Sequence, residues 1–251
     1  MNKTSRLLVL TVLFATLCGG VRAQLRQSVF LNGNIPTGDF GTSASATDLS
    51  AYATPLGVAY PGSGVPLSNT QVGKDASVGF GVGYRVSYRF DVGVGEVAPF
   101  GNIDFLWNTI DGSWRDKYDD AYYSAPTYFN IPLLGGVTYI YDELPWRDIS
   151  AYGEFGVGTD LFIITSEGKG DGNERFGYKA NFAFAWMLGA GAYFGQHFSA
   201  GLYYYGMGKH PVDYTSGTRD DNAIARAQAA AQTSRQQRSV GSVMLRLGFH
   251  F

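Results

Sequence analysis

The chain has 251 residues, 45% of them hydrophobic and 16% charged, with 34 glycines, 15% aromatic residues, one cysteine and a formal net charge of -2. That charge argues against a nucleic-acid partner, and a lone cysteine leaves no disulfide framework or thiolate zinc site. A mean hydropathy of -0.07 and the lack of any helix-spanning apolar run in the body of the chain argue against membrane helices. They are compatible with strands that spend alternate residues on a polar side.

Residues 1–23 open with Lys3 and Arg6, continue with an apolar stretch from Leu7 to Leu17, and end Val21-Arg22-Ala23. This is the plan of a secretory signal peptide, with an apolar part too short to span a membrane as a helix. The chain is therefore expected to divide into a cleaved segment 1–23 and a single domain 24–251. Cys18 falls in the cleaved part, preceded by Leu17, a poor match to the small residue that lipoprotein processing prefers. Lys3, Arg6 and Arg22 would leave with the signal, which moves the net charge from -2 to -5.

Eight strands are expected in the domain, at 25–36, 76–90, 96–110, 126–141, 149–165, 179–194, 198–211 and 238–251. The second shows the period most clearly. Val78, Phe80, Val82, Tyr84, Val86, Tyr88 and Phe90 share one parity, with only Gly, Ser or Arg between them. On that reading Val82→Arg harms insertion and Gly81→Ser is tolerated. In 179–194 the outward set is Phe182, Phe184, Trp186, Leu188 and Phe194, and in 238–251 it is Val243, Leu245, Leu247, Phe249 and Phe251. The period is weakest in 25–36, and Pro132 takes a ladder donor from 126–141.

The connections alternate in length. Stretches 37–75, 111–125, 166–178 and 212–237 are long, while 91–95, 142–148 and 195–197 are short. Short and long connections between antiparallel strands predict an all-β fold: an eight-stranded antiparallel transmembrane β-barrel with short periplasmic turns and long extracellular loops. Aromatic residues near strand ends read as two interfacial girdles. Tyr88, Phe90, Tyr139, Tyr141, Trp146, Phe194, Phe198 and Phe249 fall at the periplasmic rim, and Trp107, Tyr128 and Phe162 at the outer one.

The stretches NGNIPTGDFG (32–41), FGNIDFLW (100–107), YFNIPLLGGVTY (128–139) and AYGEFGVGTDL (151–161), with the aromatic C-terminus, resemble the small outer-membrane β-barrel domain family of Bacteroidota (PorT-like). The resemblance covers the whole expected mature chain. It implies an OmpA- or OmpX-like eight-stranded barrel in the outer membrane of a Gram-negative bacterium, with no family catalytic residue to carry over. An accessory role in envelope secretion or gliding machinery is a second implication.

The inward parity collects charges: Arg85 and Arg89 on the second strand, Glu96 and Asp104 on the third, Glu154 and Asp160 on the fifth, Arg246 on the eighth. Eight strands leave an interior that side chains just fill, so these three bases and four acids are expected to pair as a plug. A small pore through the same groups is the alternative. His197, His210 and His250 stand too far apart in the predicted layout for one metal site. Only His210, with Asp213 and Ser216 nearby, has the position of a lipid-hydrolase site at the outer rim, and loops are ordinarily rich in such residues. Asp171, Asn173 and Glu174 lack a full calcium-loop pattern. No enzyme activity, metal or cofactor is therefore expected.

Phe249 and Phe251 end the chain like a signal for the barrel-assembly machinery. The remaining expected partners are outer-membrane lipid and an extracellular or envelope protein that meets loops 37–75 and 212–237, with the barrel itself a monomer. The stretch 220–238 runs from acids through alanines to Arg235 and Arg238, and reads as a marginal helix or a tether.

Overall fold

The computed structural model describes residues 24–42, 74–112, 115–116, 123–146, 148–165, 167–169, 175–217 and 237–251. The signal segment 1–23, most of loop 37–75, nearly all of 220–238 and the stretch 170–174 lie outside the described residues, as do the side chains of Lys169 and Ser216.

The described strands are β1 (Gln24–Thr37), β2 (Gly79–Asp91), β3 (Glu96–Thr109), β4 (Tyr123–Ser124), β5 (Thr127–Tyr141), β6 (Ile149–Ile164), β7 (Glu167–Lys169), β8 (Arg175–Tyr178), β9 (Asn181–Phe194), β10 (Phe198–Pro211), β11 (Tyr214–Gly217) and β12 (Gln237–His250). Eight of them close a barrel in the order β1-β12-β10-β9-β6-β5-β3-β2, every neighbour antiparallel. β1 joins the ends of the sheet: Val29 pairs with Tyr84 on one side and Phe249 on the other. Closure leaves no unpaired edge among these eight strands.

The weak period of the first strand does not loosen it, because two full ladders hold it. Pro132 is also accommodated, and the β3–β5 register passes from Ile103–Leu133 to Leu106–Asn130, skipping the two positions beside the missing donor. The turn at 91–95 is closed by Gly93 (φ 88) and Gly95 (φ 86), with Val92 N–H donating to the Gly95 carbonyl at 3.1 Å.

Alternation gives the barrel an apolar outside. Leu31, Phe80, Val82, Leu133, Phe155, Phe182, Phe184, Leu188, Leu202, Leu245 and Leu247 are all exposed on its wall, an inversion of ordinary globular patterning that suits hydrocarbon as solvent. Exposed Trp107, Phe80, Phe182 and Phe184 lie toward the end with the long connections, and Tyr88, Tyr139, Phe194, Phe198 and Phe249 toward the end with the short turns. Tyr128 and Phe162 depart from the girdle expected of them. Both are fully buried inside the barrel mouth, because they share the parity of Asn130 and Asp160.

Gly81 also departs from expectation. A methyl group there would stand 2.5 Å from the Phe105 carbonyl oxygen and 2.7 Å from Leu106, so the inward parity of β2 is packed too closely for serine.

The connections beyond the loop end are not plain loops throughout. β11, β8, β7 and β4 pair as a second, four-stranded sheet, built from three of the long connections. The fourth begins with a 3-10 turn at Gly38–Gly41.

Candidate functional site

The barrel interior holds the chemistry of the chain, and alternation is what places it there. Arg85, Asn102, Asp104, Thr138, Glu154, Tyr203, Tyr205 and Arg246 all project from the inward parity of their strands, and all are buried. They form two stacked clusters.

Nearer the short turns, Arg85 meets Glu154 through both guanidinium ends, at 2.6 and 2.7 Å. Thr138 donates to Glu154 Oε2 at 2.9 Å, and Arg85 Nε donates to Asn102 Oδ1 at 3.3 Å. The Arg85 guanidinium also lies 4.0 Å from the Phe100 ring centroid, so its apolar faces are covered as well as its edges. One level deeper, Arg246 Nη2 lies 2.8 Å from each oxygen of Asp104, and Arg246 Nε donates to Asn32 Oδ1 at 2.9 Å. Asp104 further accepts from Asn32 at 3.1 Å, Asn102 at 2.6 Å and the Tyr205 hydroxyl at 2.9 Å. Asn102 thus links the clusters, since it accepts from Arg85 and donates to Asp104.

Arg89 and Glu96 also come together, at 3.1 Å, but at the turn-end rim, where both are partly exposed. Asp160, the fourth inward acid, faces none of the three bases. Its partner is His210, whose Nε2 stands 3.2 Å from Asp160 Oδ2 and 2.7 Å from the Met207 carbonyl oxygen, while Nδ1 stands 2.6 Å from Asn181 Oδ1. Both ring nitrogens thus stand within hydrogen-bond reach of oxygen atoms.

His210 does not stand at the exposed outer rim expected of it: its ring is fully buried and faces the barrel interior. The cause is a β-bulge in β10, where the register with β12 shifts between Gly206 and Lys209, with Gly208 at φ 82. One extra residue reverses the parity, so Lys209 faces out and His210 in. Uninterrupted alternation would have put them the other way round.

The loop-end mouth is closed by apolar packing. The 3-10 turn drops Phe40 between Tyr128 (5.4 Å between centroids) and Phe162 (5.8 Å), both edge-to-face. Asp39 fastens the turn to the wall, accepting from the Ser239 N–H and hydroxyl at 2.9 Å each. These bonds hold the Asp39 carboxyl below its ordinary range.

At the opposite end His250 lies between two hydroxyls, Ser28 Oγ at 2.7 Å from Nδ1 and Ser199 Oγ at 2.8 Å from Nε2. Tyr152 and Tyr203 share a hydrogen bond of 2.7 Å above them. Phe249 and Phe251 point away from the interior and are exposed, with ring centroids 6.3 Å apart.

Charge alone located Arg85, Arg89, Glu96, Asp104, Glu154, Asp160 and Arg246. Asn32, Asn102, Thr138 and Tyr205 were missed because they carry none, although each shares the inward parity of a charged or glycine-rich face. Phe40 gave no periodic signal at all, standing in Gly38-Asp39-Phe40-Gly41 beyond the end of a strand. Among the described residues no cluster of three or more His, Cys, Asp and Glu could hold a metal.

No family model matches the sequence, and no curated protein matches it. Among solved structures, the chain is similar to the neisserial surface protein A of Neisseria (10% identity, 91% of this chain, 97% of that one, TM-score 0.38). It is also similar to a major outer-membrane protein of Thermus thermophilus (13%, 91% and 100%, 0.47), and to the attachment invasion locus protein Ail of Yersinia pestis (13%, 90% and 97%, 0.38). At these values the likeness is one of general shape, and the closed strand pairing is what defines the barrel.

Proposed function

We propose that this chain is an integral outer-membrane barrel with a non-enzymatic, structural or surface-recognition role, its short turns toward the periplasm and its long connections outside the cell. The observation that carries this reading is the inversion of polarity: an apolar wall on every side, with ion pairs and hydrogen-bonded side chains inside. No water-filled face remains for a soluble barrel to present along its wall, and the inward charges are neutralised where solvent would otherwise be needed.

The packed interior favours the plug over the small pore. It also gives the PorT-like motifs a physical content. The stretch 32–41 supplies Asn32 and Phe40, 100–107 supplies Asn102 and Asp104, and 151–161 supplies Glu154 and Asp160, so the resemblance falls on residues that fill the barrel. Membership of that family is part of the proposal. The surface-recognition role would lie in the long connections, where β4, β7, β8 and β11 build a sheet beyond the wall.

Protease treatment of intact cells tests the orientation. An epitope placed in the connection between β1 and β2 should be lost from whole cells, and one placed in the turn 91–95 only after the outer membrane is permeabilised. The reverse pattern, or recovery of the protein in the soluble fraction, would overturn the reading.

A further inference from the structure

Asn130 is 0% exposed and projects inward from β5, and neither its Oδ1 nor its Nδ2 has a hydrogen-bond partner among the described residues. A primary amide buried with both ends unmatched keeps the full cost of leaving water, which an apolar side chain of the same size would avoid. Whichever way round the amide stands, one donor and one acceptor face into the barrel.

The strand register supplies the surroundings. Asn130 pairs with Leu106 on β3 and with Phe162 on β6, while Tyr128 pairs with Asn108 and Pro132 with Asp160. Asn108 and Asp160 are therefore diagonal neighbours of Asn130 on the inward face, within reach of about 8 Å. Asn108 directs its Nδ2 to Asn34 Oδ1 at 2.6 Å and to the Ser77 carbonyl at 2.8 Å, so that group is already spent. Asp160 is met by His210 at 3.2 Å, and a carboxylate with about four acceptor sites keeps others open. Two further buried donors of the interior, Asn34 Nδ2 and Arg246 Nη1, are also unmatched among the described residues.

The mixture of donors and acceptors decides the chemistry of the occupant. A cation would serve Asp160 and the Asn130 oxygen and leave the amide N–H groups stranded, and an anion would do the reverse. Water donates and accepts, and it is the ordinary partner of polar groups that the protein itself leaves unmatched in its interior. The aromatic rings of Phe40, Tyr128 and Phe162 close the mouth on the loop side, so an occupant at this level is enclosed.

We infer that Asn130 and Asp160 form a binding site for buried structural water, sealed inside the barrel beneath Phe40. The water accepts from the Asn130 amide and donates to the Asp160 carboxylate, and so ties β5 to the Asp160–His210 pair. Asn130 is then a bridging group of the plug rather than a defect in it. The site needs only the closed barrel, whatever its orientation in a membrane.

The test uses the folded full barrel in detergent micelles, with heat-modifiable gel migration to report folding. Oxygen-17 relaxation dispersion counts water held far longer than surface water, and urea unfolding gives the midpoint. The wild type should show long-lived internal water, and Asn130→Leu and the smaller Asn130→Val should each lose part of that signal. Their midpoints should fall by about 0.5 M urea or more, the loss expected of one buried hydrogen-bonded bridge. No long-lived water in the folded wild type, or a signal unchanged in a folded variant, would overturn the site. A midpoint raised by Asn130→Leu would do the same, because it would show an amide that nothing satisfies. A wild-type midpoint higher in sodium or potassium chloride than in choline chloride at equal ionic strength, with the difference lost in Asn130→Leu, would overturn water in favour of a cation.

Discussion

Asp104 sits where most of the interior converges, accepting from Asn32, Asn102, Tyr205 and Arg246. With that many donors, a buried carboxylate recovers much of what it lost on leaving water. The Arg85–Glu154 pair has the same character, with both ends buried. Truncating one partner leaves the other charged and alone, so Arg85→Ala should cost ~3–5 kcal/mol. Replacing both, as Arg85→Met with Glu154→Leu, should recover most of that loss. Lys209→Ala, on the exposed face, should stay within ~1 kcal/mol of wild type. Urea unfolding midpoints in lipid give all three, and coincidence of Arg85→Ala with Lys209→Ala would refute the buried pair. Glycine spacing is as strict as charge. A methyl at Gly83 would collide with Asp104 Oδ1, whereas one at Gly33 would meet nothing within 4 Å. Gly83→Ala should therefore lose ~1–3 kcal/mol and Gly33→Ala almost none by the same midpoints.

The strands were legible because lipid outside and a narrow interior inside impose a two-residue period over more than ten residues at a time. Every barrel strand lies within three residues of its expected bounds. Two local devices were not legible. The bulge of β10 depends on how Gly206, Met207 and Gly208 meet Trp186 and Ser239 across the ladder, so the parity of His210 could not be read from its own strand. The turn that carries Phe40 depends on Asp39 finding Ser239, 200 residues away in sequence. Its carboxyl is held below the ordinary range, so the bonds to Ser239 are fully present above the unfolded value of 3.8 and are lost as pH falls through the lower folded value. An NMR titration should place the midpoint of the Ser239 amide shift below 3.8, and a midpoint at or above it would contradict the latch. The wall is tested on β2, where Val82→Arg should lower folding yield into vesicles, a mid-membrane arginine costing ~2–4 kcal/mol. A yield equal to wild type would mean that the faces are assigned the wrong way round.

At the scale of the whole molecule, eight strands fix a radius that side chains can fill, and this sequence fills it at three levels. Arg85 and Glu154 occupy one, Arg246 and Asp104 the next, and Phe40, Tyr128 and Phe162 the loop-end mouth. Pairing was foreseeable from the inward charges alone. The division of labour was not, since Asp160 turned to a histidine and the mouth was closed by rings rather than ions. On the proposed reading, a barrel filled in this way offers no passage, and its role lies at its surfaces. Osmotic swelling of vesicles that contain the folded, inserted barrel tests this most directly. In an isotonic solution of a small sugar the account predicts swelling no faster than that of protein-free vesicles. Rapid swelling that scales with the amount of inserted barrel would show a continuous water path and contradict the plug.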